Sequence, residues 1–203
     1  KVLKNFFQTN FGFAPAIKRF HHHDCHAAGS YFSSGFIEAL VFTFDNSGDG
    51  IGTQVSIAKG SHLEVLERIE RPNSLGMFYG MVTQYCGFVR DSDEYKLMGL
   101  APYGKPTIDL SDILKVNEEG FKFNLDYIQK IEAGQPQPSI QQAIYSDKLI
   151  EKFGKRRLPH EEYNQFFKDF AASAQHLVEK AMVSLVRKYI IKTGIKNICI
   201  SGG

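Results

Sequence analysis

Two short stretches of this sequence concentrate side chains that can do chemistry. The first is His21-His22-His23-Asp24-Cys25-His26. On a helix His22 and His26 lie four residues apart, on one face, where two imidazoles can converge on one metal ion while their other ring nitrogens seek acceptors. His21 and Cys25 form a second pair at the same spacing. The cluster is internal and broken by Asp24 and Cys25, unlike an expression tag. Cys25 is expected to pack as a small apolar residue or to stand behind the ligands, as free cysteines do, rather than to bind the metal. The second stretch is Asp45-Asn-Ser-Gly-Asp-Gly50, whose two carboxylates could hold a divalent cation while backbone N–H groups approach phosphate oxygens. An Asx-rich hairpin turn has the same composition. The stretch is shorter than an EF-hand loop and lacks its closing Glu, which excludes calcium sensing of that kind.

Two further segments are backbone features first. Glu94-Tyr-Lys-Leu-Met-Gly-Leu-Ala-Pro-Tyr-Gly104 marks tight backbone at Gly99, Pro102 and Gly104. Ser201-Gly202-Gly203 follows an apolar strand, an arrangement that suits close approach of a nucleotide phosphate and equally a plain turn.

These segments need elements to position them. Residues 1–20 mix Phe, Gly and Pro and give no firm assignment. His21 to Phe36 reads as a short helix, with His22, His26, Gly29 and Ser33 on one face. Ala39–Phe44, Thr53–Lys59 and Leu63–Glu70 read as three strands of a meander joined by Gly-rich turns. Asn73-Ser74 can cap a helix carrying Leu75, Phe78, Tyr79, Val82 and Tyr85 and closing at Gly87, which should pack on the sheet. Residues 105–160 look polar and irregular, with a loop signal at Gly134-Gln-Pro-Gln-Pro138. Lys155, Arg156 and Arg157 are expected to form a solvated loop. A long apolar stripe from Glu162 to Lys192 predicts a helix ended by Gly194 and feeding a buried strand, Asn197 to Ile200.

Composition narrows the classes. With 203 residues, 43% hydrophobic and 23% charged, the chain suits one globular domain or a large part of one. A formal charge of +2 is too small to argue for a nucleic-acid partner, and the longest apolar runs are strand-sized, so no membrane span is expected. Three widely spaced cysteines fit a reducing cytoplasm better than a disulfide framework. A buried strand running into Ser201-Gly-Gly203 normally leads onward, so the sequence is expected to be part of a longer fold.

Taken in order, His22-His-x-x-His26 with Ala-Ala following, Asp45-x-x-Gly-Asp-Gly50, Asn73-Ser-Leu-Gly-x-Phe-Tyr79, Glu94-x-Lys-x-Met-Gly-Leu-Ala-x-Tyr-Gly104 and a strand ending in Ser-Gly-Gly resemble one family. It is the carbamoyltransferase family of nodulation proteins and of tobramycin and cephamycin O-carbamoyltransferases. The resemblance runs from about His21 to Gly203, with residues 105–160 matching in length and position only. Asp24-Cys25, Asn46 and Tyr95 depart from the usual residues, none of them at the implied ligands.

The resemblance implies an α/β chain of the actin-like ATPase (ribonuclease H-like) fold. Residues 1–203 would be a partial transfer domain, mostly the second half of the duplicated fold, with one helix of the first half supplying the histidines. It implies transfer of a carbamoyl group from carbamoyl adenylate, itself made from carbamoyl phosphate and ATP by a separate adenylate-forming domain, to a hydroxyl of a small-molecule acceptor. An iron-like divalent metal, or Mg or Mn, would sit on His22, His26 and Asp45. Asp49 would be catalytic, and Gly48, Gly202 and Gly203 would lie against the adenylate. A sugar-kinase-like phosphotransferase of the same superfamily would not need the histidine pair, and a non-catalytic metal- or nucleotide-binding module would retain it without activity.

Overall fold

The computed structural model describes residues 1–130, 139 and 142–203, so the predicted loop at 134–138 lies outside the described residues. The chain is α/β, built on a four-stranded mixed sheet. It opens with helix α1 (Val2–Phe11), which has no buried residue and carries Phe6, Phe7 and Phe11 in mutual ring contact. Helix α2 (His22–Ser34) follows and ends at Gly35 in the left-handed conformation.

Strands β1 (Glu38–Gly48), β2 (Ile51–Lys59) and β3 (His62–Glu70) form the predicted antiparallel meander. β1 runs further than expected. A register shift between Phe44 and Gly48 carries the strand through Asp45, and the tight turn is Asp49-Gly50 alone, both at positive φ. Helix α3 (Leu75–Tyr85) starts where predicted, the Ser74 hydroxyl accepting the Met77 N–H. Short helix α4 (Glu94–Leu100) leads through a 3-10 turn to Gly104, where a Cβ would lie 2.0 Å from the Lys168 carbonyl oxygen.

Residues 105–160 hold more structure than their polarity suggested: a hairpin of β4 (Leu114–Asn117) with β5 (Gly120–Phe123), and helix α5 (Asp147–Phe153). Leu110, Ile113, Leu114, Phe123, Tyr127 and Leu149 from this region are buried in the main core. They are too sparsely spaced along the chain to give a periodic signal. Helix α6 (Gln165–Thr193) closes at Gly194 and feeds β6 (Ile198–Gly202), which joins the edge of the sheet parallel to β1, giving the order β3-β2-β1-β6.

Side chains of β1 alternate between two cores, as a pleated strand requires. Leu40, Phe42 and Phe44 face α3 and α6 in the larger cluster; Ala39 and Val41 face α2 with Ala27, Tyr31 and Cys199 in the smaller one.

The expectation of a solvated Lys155-Arg156-Arg157 loop is corrected at Arg157. That side chain is 2% exposed, with its guanidinium carbon 3.9 Å from the Tyr163 ring centre and 5.4 Å from that of Phe88. Its Nε donates to the Cys86 carbonyl at 2.7 Å, and its two terminal nitrogens reach the carbonyls of Gly87, Pro159 and Glu161 and the Tyr163 hydroxyl. A planar fork of five donors can bridge that many oxygens and still stack on aromatic rings, which no lysine could do. Among the described residues, no helix is long and apolar enough to cross a membrane.

Candidate metal centre

The start of α2 meets the end of β1. Alternation along β1 puts Asp45 on the same face as Ala39, Val41 and Thr43, the face that α2 covers. Helical spacing brings His22 and His26 to the side of α2 nearest that carboxylate. The His22 Nε2 lies 2.7 Å from Asp45 Oδ2, the His26 Nε2 lies 3.4 Å from the same oxygen, and the two Nε2 atoms are 3.0 Å apart. All three residues are partly buried, Asp45 most of all, at 17% side-chain exposure.

This donor set suits a divalent transition ion. Two imidazole nitrogens and a carboxylate oxygen are common borderline ligands, and atoms each about 2.1 Å from one ion lie roughly 3.0–3.4 Å apart at tetrahedral or octahedral angles. The observed separations fall within a few tenths of an ångström of that range. Burial pushes the Asp45 carboxyl up, but hydrogen bonds from His22 and from the Asn46 N–H, with the two nearby imidazoles, outweigh it. Asp45 therefore titrates below its ordinary range and is an anion at neutral pH.

The glycines named from the sequence gather around this triad. At Gly48 a Cβ would lie 1.9 Å from His22 Cδ2, so the ring occupies the space that any side chain would take. At Gly202, φ is +138° and a Cβ would lie 1.7 Å from the Phe44 carbonyl oxygen. At Gly203 a Cβ would lie 3.5 Å from Asp45 Oδ1, so the end of β6 reaches the carboxylate. Because His22 is 41% exposed at its side chain, Gly48→Ala should swing the imidazole outward and not unfold the chain. The expected outcome is roughly 10- to 100-fold weaker Co²⁺ binding with less than about 1 kcal/mol lost in urea unfolding.

Asp49 stands apart from this triad. Its Oδ2 accepts the backbone N–H of His22 at 2.8 Å, and its backbone is left-handed, with φ of 52°. Asp45 and Asp49 thus both serve α2, from different atoms, and do not share one cation set among the described residues.

Cys25 is exposed, which corrects the expectation of a packing residue. It lies two residues from His23, about 200° around the helix, and so faces away from the sheet. Asp24 instead ties α2 to the sheet, accepting from Gln54 Nε2 at 2.9 Å and from Arg68 at 3.3 Å.

Sequence reasoning missed His23. It is fully buried, with Nδ1 2.6 Å from the Thr43 hydroxyl and Nε2 2.9 Å from the Ile51 carbonyl. The signal was present in the register His23, Ala27, Tyr31, an inward-facing stripe at i, i+4 and i+8. The carbonyl can only accept, so Nε2 carries the proton and Nδ1 receives the Thr43 O–H. Burial lowers the His23 pKa against the smaller raising effect of the Ile51 bond. A histidine whose folded pKa lies below its unfolded value, about 6.5, gives stability that is complete above that value and is lost as pH falls through it. The metal-free chain should therefore show a falling urea midpoint from pH 7 to pH 5, and His23→Gln should flatten that slope.

Also missed was the tether at Asp91, the other non-glycine residue at positive φ among those described. Its Oδ1 accepts from Asn46 Nδ2 and its Oδ2 from Arg90, each at 2.8 Å, while its N–H donates to Glu94. Asp45 opens onto a cleft walled by Phe44, Tyr79, Glu94, Met98 and Gln175. Tyr79 donates to Gln175 Oε1 at 2.7 Å, and burial raises its phenol pKa, so it stays protonated at neutral pH.

The chain is 35% identical over 187 residues to an uncharacterized protein of Synechocystis, a match covering 90% of this chain and 29% of that protein. It is 30% identical to the nodulation protein NolO of Bradyrhizobium diazoefficiens, over 90% of this chain and 30% of NolO. The nodulation protein NolNO of Sinorhizobium fredii is likewise 30% identical, with 90% and 25% covered. The chain thus spans between a quarter and a third of the length of these relatives. The profile of the carbamoyltransferase N-terminus matches residues 2–203, and the chain belongs to the carbamoyltransferase family.

Proposed function

We propose that this segment serves the transfer half of an O-carbamoyl transfer, in which the carbamoyl group of carbamoyl adenylate, made from carbamoyl phosphate and ATP, passes to a hydroxyl of a small-molecule acceptor. The observation that carries the reading is the convergence of His22, His26 and Asp45, the last of which also lines an open cleft, in a chain of this family. The actin-like fold is part of the same proposal, supported by a meander whose first strand is joined in parallel by the strand after a long helix.

On this reading His22, His26 and Asp45 hold a divalent, iron-like ion, with Mg or Mn as alternatives. When bound, it supplies positive charge that neutralises the phosphate and carbamoyl oxygens of the mixed anhydride. The residues of the chain do the rest. The ionised Asp45 gives the site its one fixed negative ligand and keeps both imidazoles turned toward it. Gly203 brings backbone to the edge of the site without a side chain, which leaves room for the adenylate phosphate, and Gly202 lets β6 lie against the Phe44 backbone just before it. Tyr79, protonated and fixed by Gln175, can orient an acceptor hydroxyl from the cleft wall.

The test uses a protein that carries this segment together with the remaining length of a relative. His26→Ala should abolish carbamoyl transfer while carbamoyl-phosphate-dependent ATP–pyrophosphate exchange persists, because the triad belongs to the second half-reaction. Loss of exchange together with transfer, in a folded protein, would assign the triad to adenylation. The 203-residue chain alone is expected to transfer no carbamoyl group.

A further inference from the structure

One residue of α2, His22, is held at three separate points by the end of β1 and the turn that follows it. Asp45 Oδ2 meets its Nε2, Gly48 leaves the space its ring fills, and Asp49 Oδ2 accepts its backbone N–H. We propose that Asp49 is a positioning residue that caps α2 from across the β1–β2 turn and fixes the backbone of His22. The proposal rests on the metal-binding reading of His22.

Three observations support it. First, α2 lacks a cap of its own, since His21 at the capping position offers no side-chain hydrogen bond to the helix. The first N–H groups of a helix have no intrahelical acceptor, and a carboxylate there satisfies one of them and meets the positive end of the helix dipole. Asp49, 27 residues along the chain, supplies that carboxylate. Second, the turn is built for it. Asp49 and Gly50 are both left-handed, at φ of 52° and 83°, the pairing for which Asp-Gly is the favoured sequence in a two-residue hairpin. Third, Gly48, the residue before Asp49, is fitted to the His22 ring, where a Cβ would lie 1.9 Å from Cδ2, so the start of α2 and this turn are packed against each other.

A cap and a proton donor respond differently to the same substitution. Asparagine keeps an oxygen acceptor, tolerates the left-handed backbone and ranks with aspartate as a cap, but it cannot carry a proton for catalysis. Glycine accepts the backbone with less strain than either, yet offers no acceptor. Alanine would confound the lost acceptor with backbone strain.

The experiment compares Asp49→Asn and Asp49→Gly with the unaltered chain. Amide exchange at His22 is followed by NMR in the metal-free state, and Co²⁺ affinity is followed by the visible bands of the bound ion. Asp49→Asn should leave both within about 3-fold. Asp49→Gly should speed His22 amide exchange and weaken Co²⁺ roughly 10- to 100-fold, the usual effect of losing support behind a ligand. Unchanged His22 exchange in Asp49→Gly would overturn the cap. An Asn variant as impaired as the Gly variant would also overturn the proposal, because the charge itself would then be required. If the unaltered chain bound no Co²⁺, the metal reading would fail, and the exchange measurement would still decide the cap.

Discussion

His22→Ala is expected to lower the affinity of the chain for Co²⁺ or Zn²⁺ at least about 100-fold, the largest single effect foreseen on the proposed metal site. The reason is geometric. The three donor atoms form a near-equilateral triangle, with His22 Nε2 2.7 Å from Asp45 and 3.0 Å from His26, so its removal leaves two donors 3.4 Å apart with no third atom of the triad to close the site. Titration by calorimetry or by the visible bands of Co²⁺ measures the change. The fold should survive, since the His22 side chain is 41% exposed and the core residues of α2 are His23, Ala27 and Tyr31. Binding should also weaken with falling pH in the unaltered chain, because the imidazoles must be neutral to bind and the metal competes with their protons. A His22→Ala chain that binds as tightly as the original would remove the triad as a metal site.

The largest expected effect on stability lies far from that site. Arg157→Met should cost about 3–4 kcal/mol, through lost charge-assisted hydrogen bonds and buried carbonyls left without donors. In a chain of this size that corresponds to a melting point lower by roughly 10 °C. The carbonyls concerned belong to Cys86, Gly87 and Glu161, so one side chain joins the end of α3 to the segment that enters α6. Its neighbour Arg156 is exposed and provides the control, with Arg156→Ala expected within about 0.5 kcal/mol. Equal melting points for the two variants would show that the buried guanidinium holds nothing together.

How much of this could be read beforehand depends on whether a residue's neighbours are close in sequence. The three strands of the meander, the capped start of α3 and the long helix α6 are local patterns of period 2 or 3.6, and each was legible. So was the pairing of His22 with His26. The approach of Asp45 to both was expected only through family resemblance, since no local rule sends a strand end toward a helix 23 residues earlier. Arg157 was misread for the same reason. Two of its acceptors, the carbonyls of Cys86 and Gly87, lie about 70 residues away, and a run of three basic residues says nothing of carbonyls at that distance. Cys25 was misread by composition. Free cysteine is usually buried, but the face of α2 was already decided by His23, Ala27 and Tyr31. In residues 105–160 the members of the hydrophobic core are each legible as apolar, yet they are recruited singly.

The alternation of β1 between two cores has a consequence for where this sequence can gain or lose residues. Deleting one residue between Ala39 and Asp45 would turn the carboxylate to the face of α3 and α6. Deleting two would restore the face but draw the carboxylate about 7 Å along the strand, beyond the reach of both imidazoles. The Asp49-Gly50 turn is equally intolerant, because Gly48 and Asp49 are each placed against His22. The turn between β2 and β3 is free of both constraints: Gly60 has nothing within 4 Å of where a side chain would begin. Length variation in this part of the fold should therefore collect at Gly60-Ser61, while the interval from Ala39 to Ile51 keeps a constant residue count wherever the triad is kept.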